Sequence, residues 1–383
     1  MIELSLYEKL PEDREMAVSK EIKKQTIGIP RAISYYGNYP FYYGFFTSLG
    51  LEIVISDKTT SKIINEGCKY VVSDTCLPVK VYVGHVVNLI EKGCDTIFVP
   101  SLQASAYKVN NCSKIRGLPE IIRNVIDKPI RIIDPEINKT EGISFKDFCR
   151  KAANEFGIYE EHLIDNAVKN GWNVYNNFRA MTLSGLSFNV ALENAIKGNI
   201  ITKSIEVVKP LSVVIMAHGY NLFDERVSMN LIKKLDKMGV KAYTSLNISR
   251  EAAEEAINEL GEIQYWANEL ELTGTAAHYM LNQKIDGIIA LSAFGCGPDS
   301  LMVEEIQYHA KERNMPMIHL NIDEHTGEAG YLTRIEAFVD MLVRKKRRTL
   351  QKQNVINLLH TVAGNNKTTA ASAEKKKESL LKV

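Results

Sequence analysis

Two parts of the chain alternate short, continuous apolar runs with longer stretches in which apolar residues recur at helical spacing. The runs are typical of buried strands, and the longer stretches are typical of helices. The predicted strands are Thr26–Ile29, Leu51–Ile55, Tyr70–Ser73, Thr96–Val99, Ile130–Ile133, Leu211–Ala217, Val240–Thr244, Ile285–Leu291 and Met315–Leu320. Because strands that alternate with helices form parallel sheets covered on both faces, we predict an α/β protein with lobes at residues 25–143 and 210–345.

The remaining segments lack the strand pattern. Helix-like spacing without strand signals runs from residue 144 to residue 209, which predicts a helical bridge between the lobes. Residues 1–24 are rich in charged side chains and predict a charged N-terminal helix. Residues 346–383 are basic and then low in complexity, so they bury too little apolar surface to order themselves. We therefore expect a disordered tail.

One predicted helix is dominated by aromatic residues. Most positions between Tyr35 and Phe46 are Tyr or Phe. Aromatic rings contribute much of the buried area of protein cores, so core packing is the interpretation we favour. A lid that shields a pocket from water is the alternative.

Three cysteines lie in predicted loops between a strand and a helix. Cys76 follows a predicted strand and precedes Pro78, which suits a first helical turn because proline has no N–H to leave unpaired. Cys296 follows another strand and also precedes a proline, and Cys112 follows a longer loop at residues 101–111. Open α/β sheets bind ligands at the carboxyl ends of their strands. We therefore expect these three thiols at ligand-binding edges.

The other three cysteines follow a different pattern. Cys68 and Cys94 each follow a glycine that can end a helix, and each precedes a predicted strand. These two belong at the opposite, amino-terminal edge of the sheet. Cys149 lies inside a helical run. Free cysteine is usually a small buried hydrophobe, and we favour that interpretation for all three.

Three converging thiolates suit a [4Fe–4S] cluster, in which a fourth iron would stay open to another ligand. A structural zinc site normally has four ligands and a C-x₂₋₄-C spacing, and the chain contains no C-x-x-C. Helix N-termini after Cys76 and Cys296 would favour thiolates and an anionic cluster. Long-range spacing does not by itself distinguish a metal site from three unrelated cysteines, so a cluster, zinc and unrelated thiols all remain open.

Charge and hydropathy restrict the partners. The 47 basic and 46 acidic residues leave a net charge of +1, so nothing favours nucleic acid or an anionic membrane surface. We see no apolar segment of signal-peptide length and no run approaching the roughly 20 residues of a membrane span. We therefore expect a cytoplasmic protein without a membrane partner. In that reducing compartment, cysteines more often bind metal or do redox work than form disulfides.

The sequence lacks the common nucleotide-binding loops. It contains neither G-x-x-x-x-G-K-[ST] nor G-x-G-x-x-G after a predicted strand. Any requirement for ATP would therefore come from another polypeptide.

Charged and titratable side chains are predicted near the same edges. His218 and His325 each follow a strand of the second lobe, Arg31 follows the first strand, and Lys80 and His85 lie on the helix after the first candidate cysteine. Singly, each is typical of a capping, turn or solvated residue. Together they supply cations and a route for protons. We name His218 and His325 as catalytic candidates, and Lys80, His85 and Arg31 as candidates for cofactor or substrate binding.

Four separated segments together resemble a known family. They are Ile27–Arg31, Cys76–Val86, Phe294–Ser300, and Asp323–Gly330 with Thr333–Phe338. In this order they are similar to the 2-hydroxyacyl-CoA dehydratase superfamily, and most closely to its branch of activase-related proteins of uncharacterised function. The resemblance covers roughly residues 25–345.

The resemblance implies two Rossmann-like lobes with an iron–sulfur cluster in the cleft between them, held by Cys76, Cys112 and Cys296. The cofactor would be a [4Fe–4S] cluster, or the larger sulfide-bridged pair found in some relatives. The implied partner is an actin-like ATPase activase that uses ATP to deliver one low-potential electron. In better-known members the electron reaches an acyl-CoA thioester, and water is eliminated from the resulting ketyl radical. Those members have two related subunits, so we expect a homodimer or a heterodimer with a related subunit.

Three functional hypotheses follow. The leading one is an oxygen-sensitive iron–sulfur protein that accepts electrons from the activase and performs reductive or dehydrating chemistry on a small substrate, with a 2-hydroxyacyl-CoA as the implied class. The second is a non-catalytic iron–sulfur electron carrier or scaffold subunit. The third is a zinc-bound or metal-free binding protein.

Overall fold

The computed structural model describes residues 25–201, 208–263, 265–268, 270–282 and 285–351. The predicted helix at residues 1–24 and the part of the predicted tail from residue 352 lie outside these ranges. Of the described residues, those up to Tyr331 form one compact unit, and those from Leu332 to residue 351 form a second. Residues 346–351 of the second unit are helical rather than disordered, because their Lys and Arg side chains are compatible with continuing a helix.

The structure forms strands at most of the predicted positions. They are β1 (Thr26–Ile29), β2 (Glu52–Ile55), β3 (Thr96–Phe98), β4 (Ser101–Ala106), β5 (Val109–Asn110), β6 (Arg131–Ile133), β7 (Glu136–Asn138), β8 (Leu211–Ala217), β9 (Val240–Tyr243), β10 (Gly287–Ala293) and β11 (Met317–Ile322).

Helices connect most of these strands. They are α1 (Tyr35–Ser48), α2 (Ser61–Tyr70), α3 (Leu77–Glu91), α4 (Ser113–Arg116), α5 (Leu118–Val125), α6 (Phe145–Asn154), α7 (Glu161–Leu183), α8 (Phe188–Ile196), α9 (Gly219–Leu222), α10 (Leu231–Lys237), α11 (Arg250–Leu260), α12 (Thr275–Leu281) and α13 (Gly297–Glu312). A 3₁₀ turn forms at Ser245–Asn247 and a π-helical turn at Leu270–Gly274. Within the described residues, no helix combines the length and apolar character that a membrane crossing requires.

Two four-stranded sheets confirm the prediction of parallel α/β architecture. The first has the order β2-β1-β3-β6 and the second the order β11-β10-β8-β9, and every pairing in both is parallel. All residues of β10 are buried, and β8 is buried except at Ser212. Continuous burial is expected because helices cover both faces of such a sheet. The arrangement is consistent with Rossmann-like lobes.

The predicted strand at Tyr70–Ser73 is wrong. Helix α2 continues through Tyr70, and Val72 is 74% exposed in the turn that follows. Cys68 consequently lies inside a helix and not at a sheet edge. Gly67, which suggested a helix end, instead allows α2 to approach α3 closely. A Cβ at this position would overlap the carbonyl oxygen of Lys80 on α3. Packing of α2 on α3 therefore decides this segment.

The predicted loop at residues 101–111 is also wrong, because it contains a β-hairpin. Strands β4 and β5 pair antiparallel, with Lys108 in the left-handed region at φ 60°. Strand β7 pairs parallel to β4 and completes a third, three-stranded sheet. Small and polar residues such as those at Ser101–Ala106 have low strand propensity, so the hairpin depends on its partners.

Helices α6, α7 and α8 occupy the segment predicted as a helical bridge. Helix α7 packs closely on the aromatic helix α1, where a Cβ at Gly44 would lie only 2.6 Å from Asn170 O. Most aromatic rings of α1 are buried, including Phe45 and Phe46 at 1% exposure. This burial supports core packing as the main role of the aromatic helix.

Candidate functional site

Each of the three candidate cysteines is the residue before the first turn of a helix. Cys76 precedes α3, Cys112 precedes α4, and Cys296 precedes α13. All three have extended backbone at this position. The long helices α3 and α13 therefore direct positive N-terminal dipole ends towards Cys76 and Cys296, which favours thiolate over thiol.

The three cysteine loops meet around the carbonyl oxygen of Asp74. A Cβ on Gly295, beside Cys296, would lie 3.6 Å from Asp74 O. Lys114, two residues after Cys112, donates from Nζ to the same oxygen at 3.5 Å. Residues from three separate stretches of chain thus converge at one point.

The candidate thiols shift the pKa values of one another through their charges. Burial raises the pKa of the Cys76 thiol, nearby Lys114 lowers it, and Cys112 raises it. Burial, the Asp299 carboxylate and Cys76 raise the pKa of the Cys296 thiol. Thiolates this close would repel one another in a buried site, so a cation that binds them would remove an electrostatic cost.

The second sheet supplies a buried histidine to the same region. His218 follows β8 and Cys296 follows β10, and these two strands are neighbours in the sheet. The chain continues from β8 to β9 on one side of the pair and from β10 to β11 on the other side. Such a reversal of strand order opens the crevice in which open α/β sheets bind ligands. His218 and Cys296 therefore share a topologically favoured position.

Two buried carboxylates hold the His218 ring. Its Nε2 lies 2.8 Å from Asp299 Oδ1, and its Nδ1 lies 3.3 Å from Glu271 Oε2. Glu271 Oε1 also accepts the Gly219 N–H at 2.8 Å. Burial alone would lower the pKa of His218, but Asp299 and Glu271 raise it to about 9. An imidazolium, with both nitrogens donating, satisfies both acids at neutral pH.

We expect this buried imidazolium to make stability depend on pH. The pKa is raised above its value of about 6.5 in the unfolded chain, so the stabilisation is fully present below pH 6.5 and is lost as the pH rises through 9. Urea unfolding of chelator-treated protein from pH 6.5 to 9.5 should lose about 3 kcal/mol more in the wild type than in His218→Gln.

The surface variant His325→Gln is the matched control, because the His325 side chain is 85% exposed. It should keep the wild-type pH profile. Equal slopes for the wild type and His218→Gln would contradict a charged His218.

The structure places Lys80 beneath the turn that leads to Cys76. Buried Lys80 donates from Nζ to Ser73 O at 2.7 Å and to Glu324 Oε1 at 2.5 Å. The buried ammonium therefore stabilises this turn through its hydrogen bond to Ser73 O. His325 lies on the surface, with Nε2 3.7 Å from Glu324 Oε1.

His85 and Arg31 belong to a different neighbourhood. His85 Nε2 lies 2.9 Å from Thr59 Oγ1, and burial lowers the pKa of His85 to about 3, with a further contribution from Arg31. This imidazole is neutral at physiological pH. Arg31 donates from Nη1 to Tyr35 OH at 3.1 Å and lines a separate pocket. The sequence grouped these residues with the thiols, whereas the fold gives them other neighbours.

Three residues of the site lie outside the candidates predicted from the sequence. Asp299 and Glu271 hold His218, and Tyr220 stacks on its ring with centroids 4.7 Å apart. Burial and the charges of Asp299, Cys296 and Cys112 raise the pKa of the Tyr220 hydroxyl. An acid in the first turn after Cys296 was a signal for Asp299, but Glu271 lies in a π-helical turn without any sequence motif.

A small cavity lies beside these groups. Its volume is about 40 Å³, and its lining includes Asn111, Ile115, Gly219, Tyr220 and Glu271. Asn111 and Ile115 flank the loop of the second candidate cysteine, and the two residues from α9 follow His218. This volume accommodates water-sized ligands.

The donor type of the three cysteines is one that iron–sulfur clusters use. Within the described ranges, no three His, Cys, Asp or Glu side chains are grouped so that they could hold one metal ion. Three thiols from separate loops, two of them at the N-termini of long helices, have the ligand type that such clusters use.

Fold and site together define an α/β protein with two parallel sheets and a convergent three-cysteine site. The chain belongs to the family described as the CoA enzyme activase uncharacterised domain, whose model matches residues 26–248, more than half of the chain. Residues 272–342 match the model of the 2-hydroxyglutaryl-CoA dehydratase D-component. These matches confirm the predicted membership of the 2-hydroxyacyl-CoA dehydratase and activase-related group. No curated protein matches the chain.

Proposed function

We propose that this protein is an iron–sulfur component that accepts low-potential electrons from an ATP-dependent activase. It uses them for reductive or dehydrating chemistry on a small substrate of the acyl-CoA class. The observation that carries the proposal is the convergence of Cys76, Cys112 and Cys296, each preceding a helix, around Asp74. The family matches support both the dehydratase chemistry and the activase partner.

Cys76, Cys112 and Cys296 would hold a [4Fe–4S] cluster. A bound cluster supplies a one-electron donor and a Lewis-acidic iron. The protein supplies the dipoles of α3 and α13, and Lys114 at the Asp74 carbonyl, which favour a negatively charged group at this position. These positive groups oppose the burial that raises the pKa of the Cys76 and Cys296 thiols.

His218 would hold a proton beside the site. The imidazolium is fixed between Asp299 and Glu271, and all three side chains are buried. Asp299 also acts on the neighbouring Cys296, whose pKa burial and the Asp299 carboxylate raise, so this acid links the histidine to the cysteine. His218 and Asp299 are therefore suited to retaining and passing a proton close to Cys296.

One observation favours a second function, that of an electron carrier. The cavity lined by Tyr220 and Glu271 measures about 40 Å³, which accommodates water but not an acyl-CoA. A carrier that only transfers electrons needs no substrate cavity. Turnover distinguishes the two functions.

Protein purified without oxygen tests the proposal. We expect stoichiometric iron and acid-labile sulfide, and a paramagnetic resonance signal from the reduced cluster that a 2-hydroxyacyl-CoA perturbs. With an activase, ATP and a reductant, the thioester should lose water or be reduced. A reduced-cluster signal without turnover would favour the carrier. Absence of iron and sulfide after reconstitution would exclude both.

A further inference from the structure

A larger pocket lies at the carboxyl ends of β1 and β2. Its volume is about 230 Å³. Three cations line it: Arg31 from the loop after β1, Lys58 from the loop after β2, and Arg226 from the segment after α9. We call this space the cationic pocket. The carboxyl ends of parallel strands are where α/β sheets bind ligands.

The three cations have no ion-pair partner in the structure. No carboxylate of the described residues lies within ion-pair distance of Arg31, Lys58 or Arg226. The lining also contains three acids, Asp224, Glu225 and Glu328. Lys233 Nζ pairs with Glu225 Oε1 at 2.6 Å, and Lys234 Nζ pairs with Glu328 Oε1 at 2.7 Å. Lys233 and then Lys58 lower the pKa of Glu225, and Lys234 and then Arg226 lower the pKa of Glu328, so the acids interact with both sets of cations. With the two lysines of α10, positive charges still outnumber the acids of the lining.

A buried carboxylate fixes the walls of the pocket. Asp224 Oδ2 accepts hydrogen bonds from Tyr36 OH at 3.1 Å and from Thr59 Oγ1. Its Oδ1 accepts the backbone N–H groups of Arg226 at 2.9 Å and of Val227 at 3.1 Å. Asp224 therefore holds the Arg226 backbone close to Thr59, the residue that follows Lys58. This network fixes the backbone segments from which Lys58 and Arg226 extend before any ligand binds.

Aromatic residues close the back of the pocket. Phe188 and Phe223 stack with ring centroids 5.2 Å apart, and Tyr36 packs on Phe188 at 5.5 Å. These rings are buried and line the pocket. They exclude water from one side, which strengthens the attraction between the cations and an anion.

We propose that the cationic pocket binds the phosphate group of a small phosphorylated ligand. Five cations, counting Lys233 and Lys234, face three acids, and this excess of two positive charges matches a phosphate dianion better than a single carboxylate. Arginine presents paired donors that suit phosphate oxygens, and lysine adds a point charge. Neither His218 nor the cysteines contribute to this pocket.

Calorimetric titration of the full-length protein with inorganic pyrophosphate tests the proposal. We expect saturable binding that Arg226→Gln weakens about tenfold, the effect of losing one charged hydrogen bond. Lys128→Gln makes the same charge change at an exposed residue outside the pocket and should not alter the affinity. Lys58→Gln is a second pocket variant. Thermal melting of both pocket variants should match that of the wild type, which shows that they fold.

Three outcomes would contradict the proposal, and a comparison with ADP distinguishes the source of the phosphate. Absence of binding at millimolar pyrophosphate excludes the site, and equal weakening by Arg226→Gln and Lys128→Gln indicates non-specific charge attraction. Succinate binding as tight as pyrophosphate would reassign the pocket to carboxylates. ADP binding much tighter than pyrophosphate would identify a nucleotide as the source of the phosphate, and equal binding would identify a free phosphate species. Binding by Cys76→Ala should equal that of the wild type, so this result is independent of the proposed cluster.

Discussion

Replacing Cys76 by alanine should remove essentially all iron and acid-labile sulfide from protein purified without oxygen. The thiol is buried before the first turn of α3, in a turn that Lys80 braces through Ser73 O. The neighbouring loops supply the other two thiols, so the variant would remove one of the three protein ligands of the cluster. Iron and sulfide analysis together with the visible absorption spectrum measures the loss.

Cys68→Ala is the matched control for this experiment. Cys68 lies within α2, which packs beside α3, but its thiol is outside the convergent set. This variant should retain the iron and sulfide of the wild type. Full iron in Cys76→Ala, or equal loss in both variants, would show that Cys76 is not a ligand.

Replacing Gly84 by alanine should lower the free energy of unfolding by about 3 kcal/mol or more. A Cβ at Gly84 of α3 would overlap the carbonyl oxygen of Ile63 on α2, and Gly67 makes the reciprocal contact with Lys80 O. Because the obstructing atoms are backbone, the two helices must separate to relieve the overlap. Separation moves the helix that carries Cys76. Urea unfolding measures the stability.

Gly330→Ala is the corresponding control, since a Cβ at Gly330 meets nothing within 4 Å and the residue is helical. We expect it to be neutral or to stabilise by about 0.5–1 kcal/mol, because alanine favours helix more than glycine does. A Gly84→Ala protein as stable as Gly330→Ala would show that α2 and α3 do not pack as closely as described.

Strongly patterned segments were predictable from local sequence. The apolar runs that became β8 and β10 are continuous and bounded by helical spacing, and the Pro78 signal correctly indicated the start of α3. Weakly patterned segments were not. The run at Tyr70–Ser73 has strand-forming residues, but it is short and the first sheet is completed by other strands. Tertiary packing overrides propensity in such cases.

Part of the candidate site was also predictable. The sequence selected Cys76 and Cys296 because each lay between a predicted strand and a helix start marked by a proline. The expected strand before Cys76 is absent, yet the thiol still precedes a helix. For Cys76, the predicted helix start is therefore confirmed and the predicted strand end is wrong.

The local periodicity of the chain was sufficient for its α/β class, its parallel sheets and the helix starts at the cysteines, because spacing along one segment reports which face that segment buries. The partners of each side chain required the folded protein. Glu271 and Asp299 meet His218 from distant parts of the chain, and Asp224 joins Tyr36 to Thr59 across more than one hundred residues. Such long-range contacts depend on how helices and sheets pack, and packing leaves no periodic signal in any single segment.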